Sequence, residues 1–343
     1  VNDSEQLVQV VLPGKVDTGG FLLEHHPVPA PGEGQVLVAV EASGISFAEQ
    51  QMRRGRYYDQ PPFPFVPGYD LVGTVRSTGE GVDPALRGRR VAALTKVGGW
   101  ASHVVLDAGE LVTVPDGVSA VEAETVVVNG ITAWQMLHRK AGVEAGQTIL
   151  VHGANGGVGS TLAQLARAAG VKVIGTASAR HHDALRQLGV TPIDYRTENV
   201  PARVRELAPG GVDAVFDHVG GRSVVDSWSL LAKGGTLVSY GSAATKEDTG
   251  PKQLPVLKLL ARVLLWNALP NGRSAYFFNI WAGLRTKEEF HARLHQDLTE
   301  VFEAMRTGQL TAQIAGVLPF ARVAEAMRLA ESGTVAGKVV LTP

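Results

Sequence analysis

The residues with the plainest chemical meaning form the stretch Val151-His152-Gly153-Ala154-Asn155-Gly156-Gly157-Val158-Gly159-Ser160. The apolar run Thr148-Ile149-Leu150-Val151 enters it, and an alanine-rich helical pattern, Leu162 to Ala169, leaves it. Strand, glycine turn and helix in that order suit a dinucleotide pyrophosphate. Gly153 permits the tight turn, Gly156 lets backbone approach phosphate, and Gly159 lets the helix pack on the strand. N–H groups of Asn155, Gly156, Gly157 and Val158, at the start of the helix, would face the anion. A glycine-rich turn with no ligand would use the same residue types. What favours the nucleotide is the strand pattern that follows at once, Val171-Lys172-Val173-Ile174-Gly175-Thr176, as a βαβ unit requires.

The end of that second strand bears on which dinucleotide is bound. An NAD site normally carries Asp or Glu there, accepting from the ribose hydroxyls. This chain has Thr176-Ala177-Ser178-Ala179-Arg180. With no carboxylate and a guanidinium present, whose planar fork of donors suits a 2′-phosphate, the expected cofactor is NADPH, read by Ser178 and Arg180. The competing assignment makes Arg180 a solvated arginine that opens the next helix.

Composition removes several function classes. Net charge is −1, with Lys+Arg 32 against Asp+Glu 33, so the chain lacks the basic footprint of a nucleic-acid or anionic-membrane binder. No cysteine occurs, which excludes disulfides and thiolate zinc sites. The histidine pairs His25-His26 and His181-His182 are adjacent, so their side chains diverge rather than converge on a metal. The first residues, Val1-Asn2-Asp3-Ser4-Glu5, do not resemble a secretory signal, and a cytoplasmic protein is expected.

The elements that must position the glycine turn follow from patterning over 343 residues, a length that favours two domains. From Leu7 to about Val128 the chain reads as short strands split by Gly and Pro, at 7–12, 35–42, 70–77, 90–94 and 103–106, which predicts an antiparallel barrel or sandwich. A long irregular interval, Gly55 to Gly68, holds Tyr57, Tyr58, four prolines and two phenylalanines. It is too aromatic for disorder and reads as functional. Residues 120–139 have helical content that Asn129-Gly130 is expected to break. From Thr148 to about Ile280 the pattern is βαβαβ, with strands at 148–151, 171–176, 191–195, 212–217, 236–240 and 275–280, predicting a doubly wound parallel sheet. Helices at 288–305 and 321–332 precede a closing strand, 338–341, expected to pair with the N-terminal domain. The stretch Gln253 to Leu269 places Leu254, Leu257, Leu260, Val263, Leu264 and Trp266 at helical spacing. Its basic face is weak for membrane binding, and a packed helix or a subunit contact is expected.

These residues resemble the medium-chain dehydrogenase/reductase superfamily, and within it the zinc-free quinone oxidoreductase branch. The resemblance rests on the glycine turn, Ile193-Asp194-Tyr195-Arg196, Phe216-Asp217-His218-Val219-Gly220, Gly68–Thr74 and the terminal Gly337-Lys338-Val339-Val340-Leu341. Ser46-Phe47-Ala48-Glu49, Arg53–Asp59 and the apolar insertion lean towards its vesicle amine transport protein-like members. It implies an α/β protein with a GroES-like β-barrel substrate domain, residues 1–129 and 283–343, interrupted by a Rossmann NADPH-binding domain, residues 130–282. It further implies that Arg180 and Tyr195, fifteen positions apart, grip the 2′-phosphate, and that Thr132, Gly241, Ser242 and Phe278 contact the cofactor. A homodimer formed through the Rossmann sheet edge is common in the family.

Two departures are informative. Where zinc-dependent relatives have Cys and Gly-His-Glu, this chain has Ser43-Gly44-Ile45-Ser46 and Gly68-Tyr69-Asp70, which excludes zinc-mediated alcohol dehydrogenation. Ser46 stands where quinone oxidoreductases carry Asn, and Gln51 where some carry Tyr, so carbonyl binding is kept while substrate preference can differ. Without a metal, reduction rests on holding C4 of the nicotinamide near an electron-poor carbon while donors steady the forming oxyanion. Tyr57, Ser46 and Gln51 are the candidate catalytic donors, each with a structural alternative in loop packing or a turn. A quinone or an activated enone is the expected small-molecule substrate. Rival readings are an enoyl-thioester tailoring reductase, whose carrier would dock on Arg53, Arg54 and Arg56, and an NADPH-binding protein with little turnover. Asp217, at a strand end, is expected to fix local backbone rather than act with His218 as an acid pair.

Overall fold

Up to Thr113 the apolar residues are largely β-branched and fall between glycine and proline turns, and the chain folds there as strands. The computed structural model describes residues 6–241 and 254–343. Within them the first elements are β1 (Gln6–Val11), β2 (Leu22–Pro27), β3 (Gln35–Ile45), β4 (Asp70–Thr78), β5 (Arg90–Leu94), β6 (His103–Asp107) and β7 (Val112–Thr113), with helix α1 (Phe47–Arg53) between β3 and β4. β1 and β2 form an antiparallel ribbon. β3 is the hub of the larger sheet, pairing antiparallel with both β4 and β6. Val36, Val38, Val40, Leu71, Val75 and Val91 fill the core beneath it.

Helix α2 (Ala120–Trp134) comes next, opened by a reciprocal cap in which Ser119 N–H and Oγ–H donate to Glu122 Oε2 at 3.0 and 2.6 Å. The expected break at Asn129-Gly130 does not occur. Asn129 Nδ2 donates to the Thr125 carbonyl at 2.9 Å, inside the helix. A Cβ at Gly130 would lie 2.6 Å from Val301 Cγ1, so the glycine admits a neighbouring helix rather than ending its own. The helix continues into a π-helical segment, Gln135–Ala141, and stops at Gly142 with φ +58°.

The chain divides into two compact units, Val1–Ile131 with Gly283–Pro343, and Thr132–Ala282. In the second unit β8 (Thr148–Val151), α3 (Gly157–Ala168), β9 (Lys172–Ala177), α4 (His182–Gln187), β10 (Val190–Asp194), α5 (Val200–Leu207), β11 (Val212–Asp217), α6 (Arg222–Ser229), β12 (Leu231–Ser239), α7 (Leu254–Asn267) and β13 (Ser274–Phe277) alternate as predicted. The strands lie parallel in the order β10-β9-β8-β11-β12-β13. This is the doubly wound order, whose direction reverses between β8 and β11, and ligands of such sheets sit at the strands' carboxyl ends at that reversal. α7 packs on β13, with Leu259 and Trp266 in the core and the Trp266 ring stacked 4.8 Å from Trp228. Only one stripe of α7 is buried, since Leu264 is 74% and Leu265 63% exposed.

The closing segment returns to the first unit through α8 (Lys287–Arg306), β14 (Ile314–Pro319), α9 (Val323–Glu331) and β15 (Lys338–Thr342). β15 pairs antiparallel with β3, Val339 opposite Ile45 and Leu341 opposite Ser43, as the sequence predicts. The pairing carries Lys338 into the interior. Its Nζ donates to Asp70 Oδ2 and Glu124 Oε1, each at 2.7 Å, and to the Glu124 carbonyl at 3.4 Å. The Val128 N–H, in the interior of α2, also donates to Asp70 Oδ2, at 2.9 Å. Burial would lower the Lys338 ammonium, but the Asp70 and Glu124 charges more than offset this and hold it above its ordinary range. Burial raises the Glu124 carboxyl well above its own range; Lys338 pulls it back and the Asp70 charge adds to the rise. Lys338→Met removes the ammonium that both carboxyls share and leaves them uncompensated. The expected loss is about 3–5 kcal/mol of unfolding free energy by urea titration. A loss below roughly 1 kcal/mol would mean that the ammonium does not hold the cluster.

Candidate functional site

In the second unit the glycine turn joins β8 to α3. Gly153 takes φ +63°, and a Cβ there would lie 2.4 Å from the His218 ring. A Cβ at Gly159 would fall 2.3 Å from the Gly153 carbonyl oxygen, so this glycine sets how closely helix and turn approach. Gly156 is the N-cap of α3, in extended conformation, with no side-chain cap and no acidic residue in the first turn. The first N–H groups of a helix have no acceptor within it. Asn155, Gly156, Gly157 and Val158 are half-buried while Val151, His152 and Gly159 to Ala166 are buried; the Gly156 N–H donates to the Gly153 carbonyl at 3.0 Å, and the N–H groups beside it, of Asn155, Gly157 and Val158, lie at the accessible part of the turn. A pyrophosphate fits here by charge and by space.

A network of side chains holds the turn. His152 Nε2 lies 3.1 Å from Ser227 Oγ and its Nδ1 3.3 Å from Thr176 Oγ1, which also accepts the Gly153 N–H at 3.1 Å. Asp217 accepts from Val219 N and Gly220 N at 2.8 and 3.0 Å, and from Ser223 Oγ and Ser227 Oγ at 2.7 and 2.8 Å. It therefore fixes local backbone, as expected. Burial holds the imidazoles of His152 and His218 below their ordinary range, against the pull of Asp217, which favours their charged forms. Ser223, Ser227 and His152 carry no sequence signal, because hydroxyls brought together by folding have no fixed spacing.

At the end of β9, Thr176 and Ala177 pair with Ile193 and Asp194 of β10, so Ser178 and Tyr195, the next residue on each strand, reach the same sheet end. Ser178 is buried, while Arg180 and Tyr195 are exposed. The Arg196 guanidinium lies 5.8 Å over the Tyr195 ring and adds a cation that the motif spacing does not single out. Burial lowers the His181 imidazole, and the charges of Arg180 and Arg196 lower it further, which places these basic groups in one neighbourhood. The Asp194 carboxylate turns into its own loop and accepts from Arg196 N at 3.0 Å and Thr197 Oγ1 at 3.1 Å. Gly241 follows β12, where a Cβ would meet the His218 carbonyl oxygen at 2.8 Å, and Phe278 follows β13, its N–H donating to Ser239 O at 2.8 Å. Both stand at the carboxyl ends of the strands. Thr132 is buried at the start of this unit, and Ser242 lies outside the described residues.

In the first unit, Ser46 is the N-cap of α1. Its Oγ accepts Ala48 N–H and donates to Glu49 Oε2, which also accepts Ser46 N–H at 2.8 Å. The hydroxyl is thus engaged in the helix cap. Gln51 is buried, and its Nε2 has no hydrogen-bond partner among the described residues. Its main-chain carbonyl accepts the Arg56 N–H at 2.8 Å, which places Tyr57 directly after α1. The Tyr57 hydroxyl meets that of Tyr69 at 2.9 Å, and burial pushes the Tyr57 phenol far above its ordinary range, so it stays protonated. Sequence reasoning misses Tyr69 as a functional candidate; only its departure from the zinc pattern marks it.

The carrier groove expected from Arg53, Arg54 and Arg56 is corrected for the first two. Arg53 is buried and donates to both Glu331 oxygens, from Nη2 at 2.7 and 2.9 Å, and to the Val16 carbonyl, while Arg54 Nη2 donates to Glu331 Oε2 at 3.0 Å. Among the described residues, no three His, Asp or Glu side chains are grouped to hold a metal ion, and no helix is long and apolar enough to cross a membrane.

Residues 32–116 match the alcohol dehydrogenase GroES-like domain, and residues 188–341 match the zinc-binding dehydrogenase family. The rat synaptic vesicle membrane protein VAT-1 homolog is 35% identical over 326 residues, 92% of this chain and 78% of that protein. A mycobacterial protein solved as a complex with NADPH is 29% identical, with a TM-score of 0.80 over 98% of this chain and 100% of that one. A quinone oxidoreductase from Pseudomonas syringae is 27% identical, with a TM-score of 0.82 over 98% and 100%.

Asp217→Ala would strip the acceptor from two backbone N–H groups and two hydroxyls at the turn. Unfolding free energy is expected to fall by about 3 kcal/mol in a denaturant titration. An unchanged midpoint would show that the network does not hold the turn.

Proposed function

Because this chain belongs to the medium-chain dehydrogenase/reductase superfamily, we propose that it is a zinc-independent, NADPH-dependent reductase that passes hydride to a quinone or an activated enone. The observation that carries this reading is the carboxyl end of β9. It offers Ser178 and Arg180, with Tyr195 and Arg196 just after β10, and the Asp194 carboxylate between them is turned into its own loop. Such an end suits a 2′-phosphate and is poor for the bare ribose hydroxyls of NADH. The NADPH bound by a mycobacterial relative, and the quinone oxidoreductase activity named for another, support the same choice.

When bound, the nicotinamide supplies hydride. The first turn of α3 and the residues Asn155 to Val158 would hold the pyrophosphate, Arg180 and Tyr195 would hold the 2′-phosphate, and Thr132, Gly241 and Phe278 would contact the remainder. Of the three donor candidates, Tyr57 and Gln51 are assigned to the acceptor's oxygen, because the neutral phenol and the unpartnered amide have donors to offer. Ser46 serves through its cap, fixing α1 so that Gln51 is presented. β13 ends the parallel sheet, and its edge is the proposed homodimer contact.

The function is tested by following NADPH absorbance with an ortho-quinone and with a small enone, and then in Arg180→Ala. NADPH is expected to be consumed with at least one acceptor. In the variant the KM for NADPH should rise about tenfold or more with NADH little affected, the loss of one charge-assisted contact. Equal losses for both cofactors would mean that Arg180 does not read the phosphate, and no turnover with either acceptor would refute the reductase.

A further inference from the structure

Three phenols stand in a row in the first unit. Tyr69 is its anchor. The Tyr69 N–H donates to Glu49 Oε1 at 2.7 Å, and its carbonyl accepts from Thr95 N at 2.8 Å and Lys96 N at 3.0 Å. Gly68, just before it, has φ +109°, and a Cβ there would lie 2.4 Å from the Trp100 nitrogen, so only glycine fits at this close approach. Glu49 is itself held by the cap with Ser46. From this fixed backbone the Tyr69 hydroxyl reaches the Tyr57 hydroxyl at 2.9 Å, with the rings edge-on at 86° and their centroids 6.4 Å apart. On its other side Tyr57 meets Tyr58, ring centroids 4.8 Å apart and hydroxyls hydrogen-bonded. Tyr69 is 4% exposed, Tyr57 8% and Tyr58 40%, so the row runs from a buried anchor to solvent.

A phenol has one proton to donate and two lone pairs to accept with. If Tyr57 donated to Tyr69, it would have nothing left for a ligand. We propose that Tyr69 is a positioning residue, donating to the Tyr57 oxygen so that Tyr57 presents its proton to the acceptor's carbonyl oxygen, and that Tyr58 returns a proton from solvent. This rests on the reductase reading above. For an enone, bound NADPH would supply hydride to the β-carbon, forming its C–H bond and leaving NADP+ and an enolate. The Tyr57 O–H bond then breaks, the enolate oxygen takes the proton, and the resulting enol becomes the ketone. Tyr58 passes its own proton to Tyr57 in the same step, so no phenolate builds up on the buried Tyr57; the Tyr69 O–H keeps the Tyr57 oxygen oriented throughout, and water restores Tyr58. The sum is enone, NADPH and one proton giving saturated ketone and NADP+. A quinone gives a hydroquinone anion that needs little acid help, so the row matters less for it.

The test is Tyr69→Phe, which removes one hydroxyl and keeps the ring, assayed at saturating NADPH with both acceptors. Enone kcat should fall about tenfold while quinone kcat changes by less than roughly twofold, and the solvent deuterium isotope effect on enone turnover should rise. In a Tyr57→Phe background the same change should add little. Equal losses for both acceptors would assign Tyr69 a purely structural role, and no loss for the enone would remove it from the relay; either overturns the proposal. If the wild type turns over neither acceptor, the reductase reading fails and the row is tested alone with 4-nitrophenol, whose phenolate is coloured. The wild type should then bind the phenolate about tenfold more tightly than Tyr69→Phe. Equal affinity, or no binding by the wild type, overturns the proposal.

Discussion

The ammonium of Lys338, buried between Asp70 and Glu124, is the contact on which the strand-rich unit depends. It joins the last strand to a strand 268 residues earlier and to helix α2, and it answers carboxyls that the interior could not otherwise hold. Asp70 also takes the Val128 N–H, so one charge cluster fixes β15, β4 and α2 together. The next residue upstream, Tyr69, is tied by its own N–H to Glu49, another buried acid of this region. Burial raises the Glu49 carboxyl, and the Ser46 hydrogen bond opposes that rise. The segment Gly68-Tyr69-Asp70 thus carries both the electrostatic tie and the anchor of the phenol row. Positions that hold a metal in zinc-dependent relatives serve, in this chain, an internal ion pair and a hydroxyl pair.

The parallel unit is arranged around the opposite need, a sheet end short of negative charge. Asp217 and Asp194 both stand at carboxyl ends of strands, and each is turned into its own loop to accept backbone and hydroxyl donors. The N-terminus of α3 carries no acid, and the arginines lie at the ends of β9 and β10. Helix donors and guanidinium groups are therefore left available to an anion at both the proposed pyrophosphate and the proposed 2′-phosphate positions. His152, kept neutral by burial, ties the turn to Ser227 and Thr176 without adding charge.

Local periodicity makes most of this fold visible in the sequence. The strands of the parallel sheet are short apolar runs between helices and turns, and all six fall within a few residues of the positions that patterning predicts. β2 escapes such a reading because Leu22–Pro27 is largely exposed and shows no alternation, and β7 because two residues carry no period. Gly130 suggests a break in α2 because a glycine's packing role depends on Val301, far away in sequence. The same limit governs the site. Gly153, Gly159 and Arg180 belong to a motif and can be found by spacing. Tyr69, Arg196 and the Asp217 serines gain their roles from tertiary contacts. Arg53 and Arg54 look like a free basic surface until folding brings Glu331 to them.

Direct hydride transfer from NADPH to an electron-poor carbon is the central claim, and isotopic labelling tests it without reference to rate. The protein would be incubated with a small enone and NADPH deuterated at C4, separately in each of the two stereochemical positions, and the product analysed by mass spectrometry and NMR. Direct transfer predicts a single deuterium at the β-carbon from one of the two labelled cofactors and none from the other. Reduced product without label from either, or label spread between both, would contradict it.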